Sequence, residues 1–158
     1  FNRAPFMLYF GQEFGERGME QEGFSGLDGR TSIFDYCTVP SIRRWLLDRL
    51  TVDELVVYKE YGRLLKIATS DAIFAHGETF DLMYANPDSE RFNGNRQFAF
   101  MRGYEDACML VVANFDGRPA EMEVNIPSEA YSFFGIKKSG ERVRLKVGAN
   151  DYTRVNLV

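Results

Sequence analysis

The hydrophobic pattern changes period along the chain, and the resulting zones predict different structures. Phe6-Met7-Leu8-Tyr9-Phe10 is apolar without polar alternation. A strand buried on both faces, as in a parallel sheet, reads in this way. Glycines at 11, 15, 18, 23, 26 and 29 follow, interleaved with acids, and predict a long irregular loop to about residue 37. Loops of that length inside compact proteins are usually functional or held by partners.

From about residue 38 to 70 the period becomes helical. Pro40 suits a first helical turn, and Ile42, Trp45 and Leu46 fall on one face. A second helix starts at Thr51, whose hydroxyl caps the turn while Glu54 reaches back in a capping box. Val57, Tyr61, Leu64, Leu65 and Ala68 recur at helical spacing, leaving Lys59, Glu60, Arg63 and Lys66 outward.

Beyond about residue 72 the period drops to two. Met122, Val124 and Ile126 alternate with Glu121, Glu123 and Asn125, as Val143, Leu145 and Val147 do with Arg142, Arg144 and Lys146. Such strands belong to antiparallel sheets with one wet face. Gln97–Arg102 and Ala107–Phe115 form a hairpin across Gly103-Tyr104-Glu105-Asp106, and Asp116-Gly117 supplies the next turn. Phe98 and Phe100 read as core. The pattern predicts a mainly β chain with an α-helical N-terminal part, its last zone an antiparallel β-sandwich.

Composition narrows the function classes. The 158 residues are 45% hydrophobic, enough for a real core in one or two small domains. The net charge of −4 supplies no basic footprint for nucleic acid, and no apolar run reaches the length of a membrane span. Cys37 and Cys108 lack short metal-ligand spacing and read as two free, buried thiols. The chain opens on Phe1 directly before the apolar run, as a piece cut from a longer protein would. Its compartment, whether bacterial-type cytoplasmic, periplasmic or secreted, is unknown.

The segment Ala4-Pro5-Phe6-Met7-Leu8-Tyr9-Phe10-Gly11-Gln12-Glu13 resembles the eighth barrel strand of glycoside hydrolase family 13, the α-amylase family. There a Gly-x-Pro, an apolar strand with paired aromatics, then Gly and an acid recur together. Ala4 stands where that family usually has Gly. The continuation, from Gly15-Glu16-Arg17-Gly18-Met19-Glu20 through Glu22–Thr31 to Ile33-Phe34-Asp35-Tyr36, is similar to a bacterial α-amylase subgroup, with Cys37 where a tryptophan is expected. The order of strand, glycine-rich loop, helix and all-β domain also follows that family.

The resemblance implies residues 1–70 as the end of a (β/α)8 barrel (strand, loop and helix 8) and residues 72–158 as the C-terminal sandwich domain. Its parent enzyme hydrolyses α-1,4-glucans with retention, using two close carboxyl groups. Those acids lie on the fourth and fifth barrel strands, and a third follows a histidine on the seventh, all upstream of the segment matched here. No catalytic residue is therefore expected in this chain, and the piece is expected to be inactive alone. His76, the only histidine, falls after the helix and reads as an ordinary surface or turn residue.

Loops after barrel strands form the active-site face, so Gln12, Glu13 and Arg17 are candidate substrate-binding residues. The plainer reading of Glu13 and Arg17, four apart, is an ion pair that shapes the loop. The acids from Glu13 to Asp35 more readily form Glu–Arg stitches than a catalytic pair, because catalysis needs carboxylates held firmly. Asp28-Gly29-Arg30 lacks the alternating ligands of an EF-hand, so no cofactor is expected in this chain, although calcium is possible in the parent. Tyr131, Phe133, Phe134 and Tyr104 are candidate aromatics for a glucan-binding surface, with core packing the ordinary alternative. The rival readings are a stand-alone carbohydrate-binding module and a related glucosyl-transferring or isomerising barrel enzyme. Separated from its barrel, the first zone is expected either to be mobile or to be covered by another copy, the piece then self-associating through residues 1–37, while residues 72–158 fold well.

Overall fold

The computed structural model describes residues 7–16 and 39–158. They fall into two compact units, divided in sequence between Ile67 and Ala68. Helix and strand occupy nearly equal shares of the described residues, so the chain is mixed rather than mainly β.

In the first unit the described part of the apolar run, residues 7–10, is not a strand. Residues 7–9 lack regular structure, and Met7 and Phe10 are 80% and 61% exposed. A strand of the buried kind exists only through ladders to neighbours, and the described part of this unit contains no other strand. The chain instead folds back, with the Gln12 amide donating to the Tyr9 carbonyl at 2.9 Å, and enters a 3-10 turn at Gln12–Phe14. Gly11 and Gly15 bracket that turn at φ 88° and 66°, left-handed values that favour glycine. Phe14 is buried, its ring 5.3 Å from Tyr58 and 5.7 Å from Trp45.

Helix α1 spans Pro40–Leu46, with the proline in its first turn as expected. Its predicted apolar face is not covered: Trp45 is 45% and Leu46 70% exposed, while Ser41 is buried. Helix α2 spans Val52–Ser70. The capping box is formed, with the Glu54 amide donating to Thr51 Oγ1 at 3.3 Å and the Thr51 amide to the Glu54 carboxylate at 2.8 Å. Val57, Tyr61, Leu64 and Ala68 are half-buried along one face, whereas Leu65 is exposed.

The second unit holds β1 (Glu78–Asp81), β2 (Gln97–Tyr104), β3 (Ala107–Asn114), β4 (Ala120–Ile126), β5 (Glu141–Val147) and β6 (Asp151–Asn156). A four-stranded antiparallel sheet runs β1-β2-β3-β6, and β4 pairs with β5 in a second. One core joins them: Ala99, Met101, Leu110 and Val112 from the larger sheet, Met122, Val124, Ile126 and Val147 from the smaller. This agrees with the antiparallel two-sheet expectation. Two short helices, α3 (Ala72–Ala75) and α4 (Ser128–Phe133), lie within the zone whose period predicted strands alone.

Two expectations about β2 and β3 change. Their turn is shorter than expected, because Tyr104 pairs with Ala107 and only Glu105-Asp106 intervene, Glu105 at φ 52°. Phe98 is 40% exposed, whereas Phe100 is buried as expected, though on the outer face, and Ala99 and Met101 supply the inward side of the strand. The outer face also buries Arg102, whose guanidinium donates to the Ile73 and Phe74 carbonyls at 3.0 and 2.7 Å and fastens α3 to β2. Cys108 is buried and free, burial pushing its thiol up to about 11; Cys37 lies outside the described residues. His76 is exposed at the end of α3, its ring 5.8 Å from Tyr104. Among the described residues no helix is long and apolar enough to cross a membrane.

Candidate functional site

The first unit contains a cleft of about 450 Å³ lined by Phe14, Gly15, Glu16, Arg44, Thr51, Asp53, Glu54 and Val57. Three local devices build it. The Gln12–Phe14 turn delivers Phe14 and Glu16, α1 delivers Arg44, and the capping box of α2 delivers Thr51 and Glu54. Glu16 accepts the Ser41 amide at 2.7 Å, satisfying one of the donors left over in the first turn of α1.

Glu54 is buried and fully engaged. Arg44 Nε donates to both of its oxygens at 3.0 Å, and Arg44 Nη2 also bonds Oε1. The hydrogen-bonded Arg44 guanidinium, aided by the Thr51 amide and hydroxyl, outweighs burial and lowers the Glu54 carboxyl from 4.5 to about 2. The same contact raises the Arg44 guanidinium. A carboxyl held ionised this firmly cannot donate a proton near neutral pH, so Glu54 is unsuited to general-acid work. Its accepting positions are also occupied by Arg44 and Thr51. The cleft is a structural ion-pair site.

Gln12 and Glu13 sit on the turn whose Phe14 and Gly15 line the cleft. Gln12 is exposed, its Nε2 donating to the Tyr61 hydroxyl at 2.8 Å and its Oε1 accepting the Tyr9 amide at 3.1 Å. Glu13 is half-buried. Arg17 and Asp28-Gly29-Arg30 lie outside the described residues. The Arg44–Glu54 pair was missed in the sequence because its members stand on different helices. The capping box announced only that Glu54 would turn back toward Thr51.

The second unit has a concavity of about 510 Å³ over β4 and β5, lined by Glu90, Arg91, Glu121, Met122, Arg144, Leu145 and Lys146. Its charges are matched across the strands: Glu121 stands opposite Lys146, and Glu123 opposite Arg144. Arg144 Nε reaches Glu123 at 2.7 Å, Arg142 at 3.4 Å and Arg91 at 3.7 Å, and the Arg144 bond leads in lowering the Glu123 carboxyl. Opposite charges across antiparallel strands stabilise the pairing, which accounts for this face without a ligand. Among the described residues no group of three or more His, Cys, Asp or Glu is placed to hold a metal ion.

No protein-family model matches the sequence, and no curated protein matches it. Among solved structures, the chain is similar to the crystal structure of AmyP in complex with maltose, with a TM-score of 0.46 and 9% identity. The match covers 84% of this chain and 26% of that one, so the chain spans about a quarter of that protein's length. A likeness of this size decides neither fold nor function.

Proposed function

We propose that the chain is the C-terminal part of an α-amylase-like glycoside hydrolase of α-1,4-glucans, and that it is inactive by itself. The observation that carries this reading is the sequence segment from Ala4 to Tyr36, with its Pro5, paired aromatics, Gly11 and Glu13 followed by the long glycine- and acid-rich continuation. The elements downstream support it: a helical segment with the capped helix α2 and then an antiparallel two-sheet unit come in the order that family has after its eighth barrel strand. The state of Glu54 also agrees, since this buried carboxyl is committed to Arg44.

In this reading the parent cleaves with retention through a covalent glycosyl intermediate on acids that precede the matched segment. Gln12, Glu13 and Arg17 border its sugar cleft, and any calcium is held by the parent's barrel. Parted from that barrel, the chain self-associates through its N-terminal region, where Met7 and Phe10 are exposed. The test is an assay of the purified chain on starch and on a chromogenic maltoside, with the upstream sequence of the parent read alongside. No turnover, and an Asn-His-Asp upstream of residue 1, are expected. Turnover that survives removal of contaminating amylase would overturn the inactivity, and a parent without the barrel acids would overturn the assignment.

A further inference from the structure

The second unit presents aromatic side chains on its surface in an unbroken row. Phe80 on β1 is central: its ring centroid lies 6.1 Å from Tyr84 and 5.3 Å from Phe133, and Phe133 is 5.0 Å from Phe134. Tyr84 is 59% and Phe133 52% exposed. The expected cluster is thus rearranged: Tyr131 is core, its hydroxyl bonded to Glu141, and Tyr84 takes its place at the surface, with Phe80, half-buried against the core, between it and Phe133.

These rings are held by what lies beneath them. Tyr84 sits in a 3-10 turn, Met83–Ala85, between fully buried Leu82 and buried Asn86. Asn86 Nδ2 donates to the Leu82 and Asn125 carbonyls at 2.8 and 2.9 Å, and its Oδ1 accepts the Asn125 amide at 2.7 Å. The Tyr84 hydroxyl is fixed on Glu129 of α4. Phe133 is the last residue of α4, a helix anchored by buried Ala130 and Tyr131. Rings already immobilised lose little freedom when something stacks on them.

The size of the ridge selects its occupant. An aromatic side chain offers about 200 Å², so three partly exposed rings present on the order of 300 Å². A stable protein interface needs about 800 Å² on each side, which excludes a second copy of the chain as the natural cover. A few pyranose rings have the right area, with an apolar C–H face for the aromatic ring and hydroxyls for the carboxylate at its edge. The rings are also not coplanar: Phe80 is inclined 65° to Tyr84 and 56° to Phe133. A flat β-1,4-linked ribbon calls for a level platform, whereas an α-1,4-linked chain curves and presents successive rings at an angle.

We infer that Tyr84, Phe80 and Phe133 form a surface site for an α-1,4-glucan, with Glu129 accepting from sugar hydroxyls at its edge. The choice of an α-linked sugar rests partly on the function proposed above; the ridge itself does not. The test titrates the full chain with maltoheptaose and with cellohexaose, following backbone amide NMR shifts. Saturable shifts around 80–84 and 129–134 with maltoheptaose alone are expected. Tyr84→Ala and Phe133→Ala should each weaken binding about tenfold, the scale of one lost aromatic contact, in a chain that keeps its cooperative unfolding. Phe115→Ala, at an exposed aromatic outside the row, should leave it unchanged. No saturable shift with either sugar, or binding indifferent to Tyr84 and Phe133, would overturn the site while leaving the assignment of the parent untouched. Binding of cellohexaose alone would overturn the α-glucan identification and count against that assignment too.

Discussion

The Glu54 carboxyl is held near 2 by the hydrogen-bonded Arg44 guanidinium, with help from Thr51, against an ordinary value of 4.5. A carboxyl depressed on folding stabilises fully above its unfolded value and loses that contribution as protons bind the folded form. The loss therefore falls between pH 4.5 and about 2. Acid titration of helical circular dichroism should show a step in that window, and Glu54→Gln should remove the step while lowering stability near neutral pH. A wild-type signal flat from pH 5 to 2 would contradict the pairing. How the sequence revealed this site follows from the chemistry. Thr51 and Glu54 are three apart and announce their own contact, but Arg44 is ten away and meets Glu54 only through the turn between helices. Glu16 and Ser41, 25 apart, left no local sign at all.

At the scale of elements, legibility tracked whether one face of a segment differs from the other. β4 and β5 alternate between apolar and polar residues over 120–126 and 142–147, and the less exposed positions, fully buried in β4 at 122, 124 and 126, fall where the period put them. β2 is apolar on both faces, so its period cannot say which side meets the core; Ala99 and Met101 do, and Phe98 does not. The apolar run at 6–10 failed for a related reason: its composition calls for flanking strands, which the described residues of its unit do not supply. The same strand β2 supplies a test. A Cβ built on Gly103 would lie 2.2 Å from the Phe134 ring, so Gly103→Ala must push that ring aside, at a cost of about 1–3 kcal/mol. Asn86→Ala should cost about 2–4 kcal/mol, because it removes three hydrogen bonds at a buried turn. Thermal or urea unfolding measures both, and wild-type stability in either variant would sink the corresponding contact.

Across the whole molecule the apolar burial is uneven. All but one of the buried hydrophobic side chains among the described residues belong to the second unit, where Leu82, Met101, Leu110, Met122, Val124, Ile126 and Tyr131 share one core. The first unit buries Phe14 and leaves Leu46, Leu47, Val52 and Val56 between 54% and 79% exposed. A domain folds alone when its own buried apolar area outweighs the entropy of ordering it. Residues 68–158 meet that condition by themselves, since both sheets, their shared core and the Arg102 clamp on α3 lie inside the segment. Residues 4–67 draw on a single buried ring among those described, together with the Arg44–Glu54 pair. Expressed separately, residues 68–158 should unfold in one cooperative transition, with a slope against urea expected of a unit of that length, and residues 4–67 should show no such transition. In the full chain, amide exchange should be slowest at β3 and β4, central to the core, and fast along α1 and the start of α2. A first unit that unfolds cooperatively in isolation, or outlasts the sheets in exchange, would reverse this ranking and require apolar burial by residues outside those described.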